Sequence, residues 1–375
     1  MPINRWPKIP ILAAMLLVTT VYLYLLWPAY FWAPVVVLMA LLLVTRKWDA
    51  APLVAFALLL VGFYLAMHYG EWALVVGGKS YGAGFWYSVL YTVAVLGMGL
   101  RFINLYRGKD RYMVWRTGFN IFAQLVIGFL LAFSLPFDWG GGRPDSPGMG
   151  VFFMYFWPLE VNALLIPKFL GLITVVKWFL AYNLVMGLVV MPLLVYRYGK
   201  RPYCSWLCGC GCLAETLGDP FRRLTPRSRR SRMVEPVIYL FVLAAVVLTV
   251  WVLMTPAATM QATAAARGGY DFVVKFIFSS LIGVGAYSLL GGRLWCRYFC
   301  PWAGLFGLLA RYGRYAIRTR GDLCIGCGMC NTYCEMGIDI RGFAMRGEPV
   351  KTTACVGCGM CIQKCPRRVL SFTIE

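Results

Sequence analysis

Histidine is almost missing from this sequence, since His68 is the single one among 375 residues. Bis-histidine haem b, a common means of carrying electrons across a bilayer, therefore cannot be assembled within the chain. Acidic residues are also few, with 15 Asp and Glu against 36 Lys and Arg. No chain of acidic residues runs through the apolar segments, and intramembrane proton relays normally need one. The composition disfavours a haem carrier and a proton pump.

Glycine-rich nucleotide loops are missing as well. Neither a dinucleotide-binding fingerprint nor a Walker loop is convincing, so NAD and ATP are not expected as cofactors. The formal net charge of +21 would suit a nucleic-acid partner, but apolar residues make up 61% of the chain and charged residues only 14%. Such a composition is typical of membrane proteins, in which basic residues meet anionic lipid head groups. We expect membrane lipids, and no nucleic acid, as partners.

Long apolar segments predict an all-α polytopic membrane domain, because about 20 apolar residues let a helix cross the hydrocarbon core. Eight segments approach this length: 10–27, 30–45, 51–69, 83–102, 117–136, 177–197, 235–254 and 272–290. Basic residues lie beside alternate loops, as in the run from Arg222 to Arg232, whereas loops 70–82 and 255–270 are nearly neutral. The positive-inside rule then puts both termini on the cytoplasmic side of a bacterial inner membrane.

Cysteine is abundant, with 14 in the chain, and two runs near the C-terminus have one spacing. The first run is Cys324, Cys327, Cys330 and Cys334, and the second is Cys355, Cys358, Cys361 and Cys365, followed by Pro366. This doubled C-x2-C-x2-C-x3-C spacing is typical of a small α+β bacterial ferredoxin with two [4Fe–4S] clusters. Structural zinc is disfavoured, since a zinc site needs only four ligands.

The fourth cysteine of each run is too distant in sequence to reach the cluster held by the other three, so it is expected to ligate the second cluster. Cluster I would take Cys324, Cys327, Cys330 and Cys365. Cluster II would take Cys355, Cys358, Cys361 and Cys334. The predicted cytoplasmic position agrees with cysteines kept as thiolates, not disulfides.

Six further cysteines follow predicted spans six and eight, and we call them the boundary cysteines: Cys204, Cys208, Cys210, Cys212, Cys296 and Cys300. Each group contains Cys-x3-Cys, and residues four apart share a helix face, so two such pairs offer four thiolates. The glycines between Cys208 and Cys212 would let backbone N–H groups approach sulfur. Spacing alone leaves three alternatives open, namely a third cluster, a bound metal ion and redox thiols.

The chain divides into three predicted domains. Residues 1–112 hold four spans without cysteine, residues 113–312 hold a four-helix core with the boundary cysteines, and residues 313–375 form the ferredoxin. The segment 151–168 is predicted to be interfacial or re-entrant, because prolines interrupt it. A span, a basic linker and a cysteine-rich turn occur in that order twice, which suggests a pseudo-repeat.

The combination of cysteine motifs at helix ends with two ferredoxin runs resembles the membrane polyferredoxins of the NapH, NosR, MauN and CcoG group. The resemblance covers about residues 113–375 and implies electron transfer coupled to the quinone pool or to a respiratory partner. Departures are the lack of proline after Cys208, Glu335 in place of proline after Cys334, and the four N-terminal spans. The outer loops have no motif for covalent FMN, which is therefore not expected as a cofactor.

One leading function and two alternatives follow from these patterns. The first is a membrane-anchored electron-transfer subunit that works between cytoplasmic clusters and quinone, another redox subunit, or a soluble ferredoxin or flavodoxin. The alternative is a quinol- or copper-reducing enzyme that uses the boundary cysteines, or a redox maturation or sensor protein. The first reading makes the chain part of an oxidoreductase complex, without a catalytic residue of its own.

Overall fold

The structure is a computed structural model that describes residues 73–76, 79–130, 181–256 and 262–374, together with Gly62 and Trp157. Several predictions concern residues outside these ranges. They are the first three spans (apart from Gly62), the interfacial segment 151–168 (apart from Trp157), and His68.

A β-hairpin and a helical hairpin form the first described unit. Strands β1 (Ala73–Val76) and β2 (Lys79–Gly82) pair antiparallel. Helix α1 (Ala83–Tyr106) then packs against α2 (Arg111–Ala123), which continues through π-helical turns at Gln124–Leu130. Asp110 begins α2, because its side chain accepts hydrogen bonds from the backbone N–H groups of residues 112 and 113 and so satisfies two helix-end donors.

The second unit carries the boundary cysteines. Its helices are α3 (Ala181–Tyr198), α4 (Gly209–Thr216), α5 (Arg229–Met233), α6 (Ile238–Met254), α7 (Ala264–Tyr270, continuing as π-helix Asp271–Val284), α8 (Tyr287–Leu290), α9 (Leu294–Tyr298) and α10 (Pro301–Tyr312). Short helical turns at Arg201–Ser205, Asp219–Leu224 and Glu235–Val237 connect them. Helix α10 packs against both α3 and α6, and α4 packs against α1 and α2.

The C-terminal unit is a small α+β head. Strands β3 (Tyr315–Thr319) and β4 (Leu370–Ile374) pair antiparallel, with Tyr315 opposite Ile374. Between the strands lie three short helices: α11 (Met329–Thr332), α12 (Ile340–Arg346) and α13 (Met360–Gln363). A backbone hydrogen bond from Arg314 to Tyr196 (2.7 Å) ties the start of the head to the end of α3.

Within the part of the chain that the structure describes, three helices are long and apolar enough to cross a membrane, by length and composition: Val89–Tyr106, Ala181–Tyr198 and Arg229–Met254. They overlap the predicted spans 83–102, 177–197 and 235–254. Their outward sides carry exposed apolar residues such as Leu193, Leu240 and Leu243, as lipid-facing helices require. These features are consistent with a membrane protein.

The predicted spans 117–136 and 272–290 do not meet this criterion within the described residues. The first contains buried polar residues on α2, and the second is a π-helix that ends at Val284 before α8 begins. The count of eight spans, the sidedness and the three domain boundaries stay predictions.

Candidate metal centres

Two cavities in the head collect the ferredoxin cysteines. One is lined by Cys324, Cys327, Cys330 and Cys365. The other is lined by Cys334, Cys355, Cys358 and Cys361. In each cavity, three cysteines come from one run and the fourth from the other. We call these cavities site I and site II.

The two loops around these sites have matching backbones. Glycine follows the second cysteine of each run, and Gly328 and Gly359 both adopt positive φ (74° and 80°), which suits glycine because it has no Cβ. A short helix begins directly after each of them and carries the third cysteine. At Cys365 the backbone N–H of Val369 donates to the sulfur (3.4 Å), a contact that stabilises thiolate ligands. The residues present therefore fit two iron–sulfur cubanes.

The two sites differ in exposure. Site I faces outward, since Cys327 is exposed and Ile325 beside it is 57% exposed. Site II is covered, with Cys334, Val356 and Cys361 all buried. Helix α2 and the first Cys-x3-Cys segment contact its loop, since Tyr112 donates to the carbonyl of Gly357 (2.8 Å) and Ser205 to that of Val356 (2.7 Å).

The two Cys-x3-Cys motifs of the boundary cysteines fold alike. Cys208 directly precedes α4 and Cys300 directly precedes α10, with similar backbone angles (φ −66°, ψ 129° and φ −75°, ψ 114°). The N–H of Cys208 bonds the carbonyl of residue 203 (2.9 Å), and that of Cys300 bonds the equivalent carbonyl of residue 295 (3.0 Å). Both sulfurs also accept a backbone N–H from the residue three positions later. The sequence echo is thus a structural repeat of two cysteine turns at helix N-termini.

Four boundary cysteines share one buried core, and we call them the inner four: Cys204, Cys208, Cys296 and Cys300. Cys210 lies at the edge of this core, with its sulfur 3.9 Å from the Ser279 hydroxyl. Cys212 packs in a different core, with Phe221 and Tyr287. The six cysteines therefore do not form one group.

The thiols of the inner four have unequal acidity. A hydrogen bond from Cys210, followed by backbone N–H contacts that overcome burial, lowers the pKa of Cys208 to about 7. Burial raises the pKa of Cys204 to about 12, and it also raises the pKa of Cys300. Among the described residues, no three Cys, Asp, Glu or His side chains converge on a single metal ion.

Hydrophobicity patterns did not reveal the polar stripe on α2. Arg116, Asn120 and Gln124, at intervals of four residues, lie on one face and are almost fully buried. Asn120 donates to the carbonyl of residue 205 (2.9 Å), and Gln124 donates to that of residue 207 (2.9 Å). Arg116 donates to the carbonyl of Cys358 in site II. Helix α2 therefore holds the first cysteine turn and the site II loop together. The i, i+4, i+8 spacing of these three polar residues is the sequence signal that would have predicted one shared face.

Five buried charges, which we call the charge cluster, join the same parts: Arg116, Arg222, Arg293, Glu215 and Glu335. Glu215 on α4 pairs with all three arginines, at 3.0 Å from Arg116 and 2.6 Å from Arg222. Glu335, directly after Cys334, lies 2.8 Å from Arg222 and 3.6 Å from Arg293. Glu335, which stands where the polyferredoxins that this chain resembles have proline, thus links the head by ion pairs to the unit that carries the boundary cysteines.

The two acids of the charge cluster differ in protonation. Burial opposes the ionisation of Glu215, but the neighbouring arginines outweigh it and hold the pKa of Glu215 well below its usual value. Burial dominates at Glu335 and raises its pKa to about 7, although Arg222 and Arg293 oppose this shift.

Lys200 connects the sites electrostatically. It is 1% exposed, and burial lowers the pKa of its ammonium group, an effect that nearby sulfurs oppose. Those sulfurs belong to one site II residue and three of the inner four: Cys355, Cys204, Cys296 and Cys300. Thiolates in either site would stabilise this buried cation, and it would stabilise them.

Family comparisons assign iron–sulfur chemistry to the same segments. The model for a 4Fe-4S dicluster domain matches residues 316–366, which contain all eight ferredoxin cysteines. The model for a 4Fe-4S binding domain matches twice, at residues 180–228 and 274–320. Each of these two matches contains one boundary cysteine group, in agreement with the repeated turns.

Relatives are distant and partly covered. The YccM electron transport protein of Escherichia coli (strain K12) is 26% identical over 52% of this chain and 56% of its own length. The methylamine utilization ferredoxin-type proteins MauN of Methylobacillus flagellatus and Paracoccus denitrificans are 25% and 27% identical, over 41% and 46% of this chain and 55% and 62% of theirs. The chain thus spans less than two thirds of these relatives. No solved structure matches.

Proposed function

We propose that this chain, which is a polyferredoxin-type 4Fe–4S protein, relays electrons between a solvent-facing site and a centre at the membrane boundary. Bound [4Fe–4S] clusters supply one-electron acceptance and donation. Their ligands would be the two crossed sets of cysteines that line site I and site II. The inner four would hold a third cluster, which exchanges electrons with quinone or with another redox subunit.

The observation that carries this proposal is the direct contact between the site II loop and the first cysteine turn. The Ser205 hydroxyl, next to Cys204, donates to the carbonyl of Val356, next to Cys355 (2.7 Å). A hydrogen bond therefore joins the segment that carries Cys204 to the loop that carries Cys355. Site I, on the outer side, would be the entry or exit port, and site II the intermediate.

This chain's residues would also control the surroundings of the centres. Trp302 and Phe306 are fully buried beside Tyr203, and the centroids of the Trp302 and Phe306 rings lie 4.3 Å apart. These packed rings would exclude water from the core that contains the inner four. Arg293 donates to the carbonyl of Cys204 (2.9 Å) and lies 3.7 Å from the Cys296 sulfur. Positive charge this close to thiolates stabilises their deprotonated, ligating form.

Burial favours the relay over the enzyme alternative. Each of the inner four is no more than 8% exposed. A copper- or quinol-reducing site would have to admit its substrate to these sulfurs, whereas electron transfer needs no such access. Cys210 and Cys212 would then be neighbours of the centre and not ligands.

The proposed setting is a bacterial cytoplasmic membrane, with both termini and the head on the cytoplasmic side. Helices with apolar outer faces would anchor the chain. The basic residues near the boundary turns would lie among lipid head groups.

Electron paramagnetic resonance (EPR) of the anaerobically purified, reduced chain tests the function. We expect spectra of at least two cubane clusters that interact magnetically, because site I and site II belong to one small head. Fewer than two such clusters would refute the relay.

A further inference from the structure

An apolar patch surrounds site I on the outer side of the head. Ile325, Met329 and Met345 are 57%, 37% and 61% exposed. They encircle the exposed Cys327: Ile325 and Met329 line the site, and the Met345 sulfur lies 3.7 Å from where a Cβ on Gly326 would stand. Exposed apolar residues grouped around a redox centre mark an interaction surface.

Arginines flank this patch. Arg341 and Arg367 both line site I and are exposed, and exposed Arg368 follows them in the chain. Asp322 is a nearby exposed acid in the preceding loop. We name the surface formed by Ile325, Cys327, Met329, Met345, Arg341 and Arg367 the port face; its charge is positive.

The basic run from Arg222 to Arg232 is partly used inside the molecule. Arg227 donates to the carbonyl of Asn331 (2.7 Å) and to that of Thr332 (2.5 Å), in the head. Arg223 donates to the Tyr333 hydroxyl. These arginines hold the head against the boundary unit, so the port face is the better candidate for an external partner.

We propose that the port face docks a small soluble one-electron carrier protein whose own redox centre is surrounded by acidic residues. This inference rests on the proposed relay. Charge complementarity would orient the carrier, and the apolar patch would bring the two centres into close contact. The cysteines of site I would hold the accepting cluster, so one electron would pass from the reduced carrier to it, and the carrier would be oxidised as the cluster is reduced. No bond or proton is exchanged.

Stopped-flow reduction of the full chain by a reduced acidic ferredoxin tests the proposal. At low ionic strength, Arg341→Glu with Arg367→Glu is expected to lower the second-order rate constant about tenfold or more, and added salt should slow the wild-type reaction. Arg111→Glu is the matched control, because Arg111 is exposed on α2, which contacts site II and not site I. Its rate should stay near that of the wild type.

Reduction by dithionite tests the proposed relay separately from the proposed docking. Dithionite needs no docking surface, so it should still reduce the double variant fully, and the control variant should be reduced at the wild-type rate. A chain that dithionite cannot reduce would contradict the relay and the docking together. The docking alone would be contradicted if dithionite reduces the chain but the rate constant with ferredoxin changes neither with the substitutions nor with salt.

Discussion

Replacing Glu215 by glutamine is expected to lower the free energy of unfolding by about 3–5 kcal/mol, because it leaves three buried arginines without their shared counter-charge. All four side chains are at most 1% exposed, so water cannot compensate. Chemical denaturation in detergent at pH 7.5, followed by circular dichroism, measures the loss.

Glu335→Gln is the matched control for this prediction. Burial raises the pKa of its carboxyl to about 7, so its ionised form is far less favoured than that of Glu215, and both arginines beside it keep Glu215 as a counter-charge. The expected destabilisation is therefore clearly smaller than for Glu215→Gln. Equal losses of unfolding free energy in the two variants would contradict the prediction that Glu215 is the main counter-charge of the three arginines.

The pH dependence of stability follows from the two shifts. The pKa of Glu335 is raised in the folded chain, so its contribution decreases as pH rises from about 4.5, the ordinary value, to about 7. The pKa of Glu215 is lowered, so its contribution is present above the ordinary value and is lost on acidification. Glu335→Gln should remove only the first of these dependences.

Iron content should reveal which cysteines share a cluster. Cys334→Ser combined with Cys361→Ser is expected to remove about four irons, because both ligands belong to site II and a [4Fe–4S] cluster is lost once. Cys334→Ser combined with Cys330→Ser is expected to remove about eight irons, although these two cysteines are neighbours in one run.

An assignment in which each run holds its own cluster makes the opposite prediction. The pair at 330 and 334 would then lose about four irons, and the pair at 334 and 361 about eight. Iron and acid-labile sulfide, measured on anaerobically purified variants, distinguish the two arrangements. A single Cys210→Ser variant is a control that should retain all the iron.

Spacing predicted the head well, because ligand positions in a cubane-binding loop are constrained along the chain. The same reasoning found the boundary cysteines, but it could not show that Cys212 packs with Phe221, away from the inner four. That separation depends on the direction of α4, which is a tertiary property. Hydropathy placed Asn120 and Gln124 inside the predicted span 117–136 without marking them, although both donate hydrogen bonds to the first cysteine turn.

Glu335 shows the limit of reasoning from a resemblance. The sequence marked it as a lost proline, with consequences for packing near Cys334. Its role as an ionic link depends on the fold, which brings Arg222 and Arg293 beside it. Each of these arginines is more than forty residues away in the sequence. Long-range ion pairs of this kind have no periodic or local sequence signal.

We propose that the inner four hold a third cluster next to site II, and this cluster would give the ferredoxin head a route toward the membrane. Iron and acid-labile sulfide per chain, measured on the wild type and on Cys296→Ser with Cys300→Ser, test it most directly. We predict about twelve irons in the wild type and about eight in the variant, with the EPR signals of the head retained. About eight irons in both proteins would contradict the claim.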